Sequence, residues 1–130
     1  MKPKTYVQKA LRTESKNYHK SKRLSPRIEH AVFGLVTEAG ELLDKLKRVR
    51  FYNTEIDRVN LAEEIGDIMW YLAIFCDELG VSFEEVWVKN IKKLKARYPK
   101  AYAKEKALKR NLTKERRVLE GRSPSPSKSE

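Results

Sequence analysis

The sequence predicts an all-α fold, a bundle of four main helices followed by a basic C-terminal helical arm. Three observations predict it. Apolar residues recur at the 3.6-residue spacing of amphipathic helices. No segment alternates apolar and polar residues with the period of two that marks a strand. The periodic segments are bounded by serine, proline and glycine where helices start and stop.

The first expected helix runs from about Thr5 to Asn17, with Tyr6, Val7, Ala10 and Leu11 on one side. A polar, basic stretch follows, His19-Lys20-Ser21-Lys22-Arg23. Ser25-Pro26 reads as an N-cap with proline at the first helical position. It opens a second helix to about Arg50, whose stripe is Ile28, Ala31, Val32, Leu35, Val36, Ala39, Leu42, Leu43 and Leu46. A loop over Phe51–Asp57 precedes the third helix, about Arg58 to Leu79, which Gly80 ends as a cap. Its stretch Ile68–Cys76 is apolar all round, as in a helix that is central or lies in a subunit interface. Ser82 and Glu85 match a capping box for the fourth helix, Phe83 to about Tyr98, which Pro99 interrupts. Lys100–Gly121 is one more, strongly basic helix, and Ser123–Glu130 is a disordered tail by composition.

The 130 residues have a single-domain length, which we divide into a helical domain over 1–99, the basic arm over 100–122 and the tail over 123–130. No apolar run reaches the roughly 18 residues of a membrane span. No apolar region follows Met1–Lys4, so no secretory signal is expected. One cysteine, Cys76, cannot make an internal disulfide, and a cytoplasmic setting is the simplest expectation.

Charge is unevenly spread. Residues 1–28 carry nine basic and one acidic residue, 29–88 carry five and thirteen, and 89–130 carry fifteen and four. An acidic centre between basic flanks fits an anionic ligand, held by metal in the centre and by Lys and Arg from the flanks.

Four carboxylates sharpen that reading. Glu38 and Glu41 are three apart, as are Glu64 and Asp67, so each pair occupies one helical face. Antiparallel packing of the second and third helices brings the pairs together. Glu38 sits at the edge of the apolar stripe, with His30, Gly34 and Lys45 on the neighbouring line; Glu64 and Asp67 share a line with Tyr71. Carboxylates beside buried surface need compensation. An all-oxygen set suits Mg²⁺, or Mn²⁺, rather than zinc. A di-iron bundle would need Glu-x-x-His on two helices, and neither His19 nor His30 completes that pattern. On the fourth helix, Asn90 falls in the stripe of Phe83, Trp87, Ile91 and Leu94, flanked by Lys93 and Arg97. Beside four carboxylates, Asn90 and Lys93 become candidates for phosphate and metal-water contacts.

Three blocks complete the pattern: Gly34-Leu35-Val36-Thr37-Glu38-Ala39-Gly40-Glu41, then Glu63-Glu64-Ile65-Gly66-Asp67-Ile68-Met69-Trp70-Tyr71-Leu72-Ala73, then Asn90-Ile91-Lys92-Lys93-Leu94-Lys95-Ala96-Arg97-Tyr98-Pro99. In this order they resemble the MazG-like all-α nucleoside triphosphate pyrophosphohydrolases, a superfamily that includes dimeric dUTPases and phosphoribosyl-ATP pyrophosphohydrolases. The resemblance extends from about Tyr6 to Gly121; the extra lysines of the arm and the Ser-Pro tail depart from it. It implies a MazG-like four-helix bundle and Mg²⁺-dependent cleavage of a nucleoside triphosphate to the monophosphate and pyrophosphate. It implies Glu38, Glu41, Glu64 and Asp67 as metal ligands and catalytic groups, with Lys93. Asn90, Lys93, Arg97, Tyr71 and Lys45 are the substrate-binding candidates, Tyr71 at a position often near the nucleoside in that family. It further implies a homodimer or homotetramer. The alternative is a basic helical nucleic-acid-binding or interaction protein on the same scaffold, which the arms motivate but no binding signature supports.

Overall fold

The computed structural model describes residues 1–17 and 24–122. The basic stretch His19–Arg23 and the tail 123–130 lie outside the described residues. Six α-helices form and, among the described residues, no strand: α1 (Pro3–Ala10), α2 (Pro26–Tyr52), α3 (Arg58–Glu78), α4 (Phe83–Arg97), α5 (Lys104–Leu108) and α6 (Leu112–Leu119). The chain divides into two compact units, Met1–Phe83 and a second that starts at Glu84.

In the first unit, α2 and α3 form an antiparallel hairpin. Arg27 near the start of α2 meets Asp77 and Glu78 at the end of α3, and Lys45 late in α2 reaches Glu64 early in α3. Asp57 caps α3 by accepting hydrogen bonds from the Val59 and Asn60 amides. The far end closes as the glycine predicts. Gly80 has φ +65°, its N–H donates to the Asp77 carbonyl and that of Val81 donates to the Cys76 carbonyl. This is a Schellman motif, which needs the left-handed residue at that position.

The first helix is shorter than the expected Thr5–Asn17. It begins at Pro3 and ends at Ala10, followed by a 3₁₀ turn over Leu11–Thr13. The Thr13 hydroxyl donates to the Ala10 carbonyl at 2.9 Å and the chain turns extended at Glu14. That local bond competes with helix continuation. α1 lies along α3, where Tyr6 Oη donates to the Gly66 carbonyl and Trp70 Nε1 donates to Thr13 Oγ1. Ala10, Ala73, Cys76 and Phe83 form the core, with Tyr6, Val7, Trp70 and Val81 packed against it.

The expected α2 stripe is only partly the packing face. Ala31 and Gly34 are buried and Leu35, Glu38, Leu42 and Lys45 half-buried, whereas Val32, Val36, Leu43 and Leu46 are exposed. The helix therefore turns its more polar edge to α3. Gly34 is the reason: a Cβ there would lie 2.0 to 2.3 Å from ring carbons of Tyr71, so only glycine admits the ring and the close helix contact. Ile68–Cys76 is correspondingly one-sided. Ala73 and Ile74 are fully buried, and Met69 and Leu72 are exposed.

In the second unit, α4 stops at Arg97, one residue short of expectation, because Tyr98 precedes Pro99 and is biased away from helix. Val86, Trp87, Val88 and Ile91 of α4 are exposed. The arm is two short helices instead of the one expected over Lys100–Gly121. The break falls at Lys109–Asn111, where the Asn111 side chain accepts from the Lys114 amide and starts α6 afresh. No helix among the described residues is long and apolar enough to cross a membrane.

Candidate metal centre

The tight crossing at Gly34 and Tyr71 sets the register of the hairpin. One turn beyond Gly34, α2 presents Glu38 and Glu41 toward the stretch of α3 that carries Glu64. One carboxylate oxygen from each of Glu38, Glu41 and Glu64 lies within 4.8 Å of the others. Glu64 is buried, only 4% exposed, Glu38 is half-buried and Glu41 is exposed. The cluster is thus open on one side and closed on the other.

Its electrostatics follow from that geometry. The Glu38 carboxyl is pushed above the usual carboxylate range, first by burial and then by the charges of Glu41, Asp67 and Glu64; it also shares a hydrogen bond with Glu64. Lys45 Nζ stands 3.9 Å from Glu64 Oε1, the one basic group among the described residues that reaches the cluster. Three carboxylates against one long ion pair leave the group short of positive charge.

Asp67, the fourth expected ligand, is not among the three converging oxygens and is exposed. Its charge is still felt nearby, raising the pKa of Glu38 and, after burial, those of Tyr6 and Tyr71. Tyr71 is fixed edge-on between His30, at 5.5 Å, and Trp70, at 4.8 Å between ring centres. It therefore borders the cluster as a rigid aromatic wall.

The donors fit a hard divalent cation. All are carboxylate oxygens, on two helices, one buried and one open to solvent, as Mg²⁺ or Mn²⁺ prefers.

The remaining expected site residues lie on α4. Asn90 is exposed, Lys93 is half-buried, and Arg97 makes a two-pronged bond to Glu115, Nε–Oε1 2.8 Å and Nη2–Oε2 2.6 Å.

Sequence reasoning missed a second acidic cluster on the hairpin. Arg27 binds both oxygens of the buried Glu14, at 2.6 and 2.7 Å, and also Asp77 and Glu78, at 2.8 and 2.9 Å. The Ser25 hydroxyl donates to Glu78 instead of capping α2. A signal was present: a cation in the first turn of α2 and acids in the last turn of α3 both oppose the helix dipoles, so each calls for a partner elsewhere.

Residues 28–102 match the family model of the MazG nucleotide pyrophosphohydrolase domain. The chain is also 35% identical over 74 residues to the Gene 37 protein of Mycobacterium phage L5, a match covering 54% of this chain and 65% of that protein. No solved structure matches the chain.

Proposed function

The chain belongs to the MazG nucleotide pyrophosphohydrolase domain family, and from that premise we propose that it hydrolyses a nucleoside or deoxynucleoside triphosphate to the monophosphate and pyrophosphate, using Mg²⁺. The observation that carries this reading is the convergence of Glu38, Glu41 and Glu64 within 4.8 Å, on a hairpin edge with one nearby lysine.

Glu38, Glu41 and Glu64 would hold the cation, with Asp67 beside them completing the ligand set. When bound, the ion would supply Lewis-acid neutralisation of phosphate charge and a more acidic water, with Mn²⁺ as a substitute. Glu64, buried and linked to Lys45, anchors the set, while the exposed Glu41 faces the solvent from which substrate arrives. Water adds to phosphorus in line, the α–β anhydride bond breaks, pyrophosphate leaves, and the released proton passes to a carboxylate of the set. Lys45 and the Tyr71 wall are assigned to substrate on their position by the cluster. Asn90, Lys93 and Arg97 are assigned to phosphate contacts on sequence pattern. Lys93→Ala is then expected to slow hydrolysis about tenfold, the scale of one charge-assisted phosphate contact.

A homodimer or homotetramer belongs to the same proposal. It is supported by the apolar lines left exposed on α2, at Phe33, Val36 and Leu43, and on α3, at Ile65, Met69 and Leu72. A cytoplasmic setting is likewise proposed, in keeping with the unpaired, buried Cys76. The test is a nucleotide panel with product identification, with Mg²⁺ and with EDTA. Monophosphate and pyrophosphate formed only with the metal are expected; release of single orthophosphate, or no metal dependence, would contradict the reading.

A further inference from the structure

The second unit carries a cavity whose lysines the reading above does not use, although Arg97, assigned there to phosphate contacts, also lines it. Its volume is about 230 Å³, and Arg97, Lys106, Lys109, Asn111, Lys114 and Glu115 line it. These residues come from the end of α4, the two arm helices and the break between them.

One side of the cavity is a fixed ion-pair platform. Glu115 is 4% exposed, and its carboxylate accepts from Arg97 and, through Nη2 at 2.7 Å, from Arg110. Its negative charge is therefore already shared by two guanidiniums. The three lysines have no acidic partner within ion-pair distance among the described residues. Two guanidiniums thus hold the one carboxylate, and three further cations line the same cavity. The first turn of α6 also lines the cavity, through Asn111 and Lys114, and contributes the positive end of a helix dipole.

Ammonium groups grouped about a concavity repel one another unless an anion lies between them. The chemistry that matches three lysines and a guanidinium edge is a multivalent oxyanion with several acceptor oxygens. A concave site of this size suits a compact anion better than a polynucleotide backbone, which is contacted along an extended basic strip.

We propose that this cavity is a binding site for a short phosphate chain, either inorganic oligophosphate or the phosphates of a free nucleotide. Lys106, Lys109 and Lys114 provide the charge, and the Arg97–Glu115–Arg110 clamp holds their platform in place. All of its residues belong to the second unit, and the site needs no divalent ion.

The test is calorimetric titration of the full chain with inorganic tripolyphosphate in EDTA, which removes metal-dependent binding at the carboxylates. Expected is saturable binding that weakens as salt rises. The Lys106→Ala/Lys109→Ala/Lys114→Ala variant should bind at least tenfold more weakly with its helical circular dichroism unchanged, since all three side chains are exposed. The Glu38→Gln/Glu64→Gln variant should bind as the wild type does, which separates this site from the catalytic reading. Repeating the titration with a nucleoside triphosphate identifies the source: equal affinity means that phosphate alone is read, and tighter lysine-dependent binding means that the nucleoside contributes. The proposal is overturned if tripolyphosphate does not bind, if the lysine variant binds it equally well, or if a single-stranded oligonucleotide binds where tripolyphosphate does not.

Discussion

Near the mouth of the hairpin, Glu14, Asp77 and Glu78 close around Arg27, every contact between 2.6 and 2.9 Å. About 16 Å further along α2, at 1.5 Å per residue, Glu38, Glu41 and Glu64 converge with Lys45 3.9 Å from one of them. Both clusters join α2 to α3 and both include a buried glutamate, Glu14 at 6% and Glu64 at 4% exposure. They differ in compensation. The first lowers the pKa of Glu78, through bonds from Ser25 and Arg27, whereas the second raises that of Glu38. Acids that stabilise a fold have their countercharge built in. Acids proposed to await a cation are held together with a single long ion pair to Lys45, and that shortfall of countercharge is what supports the second cluster as the proposed metal site.

The comparison breaks most visibly in activity. Glu38→Gln, Glu41→Gln, Glu64→Gln and Asp67→Asn are each expected to lower turnover about a hundredfold or more, since even outer-shell changes at metal sites reach that scale. Pyrophosphate release under saturating Mg²⁺ measures it, and wild-type rates from any two variants would remove the site.

Stability should move in opposite directions at the two clusters. Arg27→Ala leaves the buried Glu14 without its guanidinium and should cost about 3 kcal/mol in urea unfolding, the lower end for a broken buried pair because Arg27 is partly exposed. Glu41→Gln in EDTA should be neutral or stabilising, because it removes a like charge from an uncompensated group. Equal losses from both substitutions would erase the distinction.

Gly34→Ala tests the contact that sets the second cluster. The added methyl meets the Tyr71 ring, which His30 and Trp70 hold in place, and overpacking of this kind costs roughly 1–3 kcal/mol. Thermal melting should fall, and Mg²⁺ affinity with it. An unchanged melting temperature would show that the helices separate freely at that point.

The smallest effect concerns another acid with its countercharge built in, Glu115. Arg97 and then Arg110 hold the Glu115 carboxyl down to about 2. A depressed carboxylate stabilises the folded state above the ordinary glutamate range, near 4.3, and loses that contribution as pH falls toward 2. Acid unfolding followed by the α4–α6 amide signals should therefore steepen between about pH 4 and pH 2 in the wild type, and Glu115→Gln should flatten it there.

Much of this was legible in the sequence because the signals are local. Pro26, Gly80 and Pro99 mark helix ends through backbone chemistry that needs no distant partner, and the three-residue spacing of the acids fixes their faces. The orientation of α2 was not legible, because its broader apolar stripe loses to a narrower line on which Gly34 admits Tyr71, 37 positions away. Nor were the partners of Arg27, which lie 13, 50 and 51 positions away in the chain. The split of the arm depends on Asn111 capping α6, a choice that periodicity alone does not reveal.

The central claim is that Glu38, Glu41 and Glu64 are gathered for a divalent cation. Melting temperature in EDTA and in millimolar Mg²⁺, for the wild type and Glu64→Gln, tests it most directly. A cation at a hundred times its dissociation constant adds about 2.7 kcal/mol, so the wild type should melt several degrees higher with Mg²⁺ and Glu64→Gln should not respond. Identical wild-type melting in the two buffers, or an equal Mg²⁺ response from Glu64→Gln, would contradict the account.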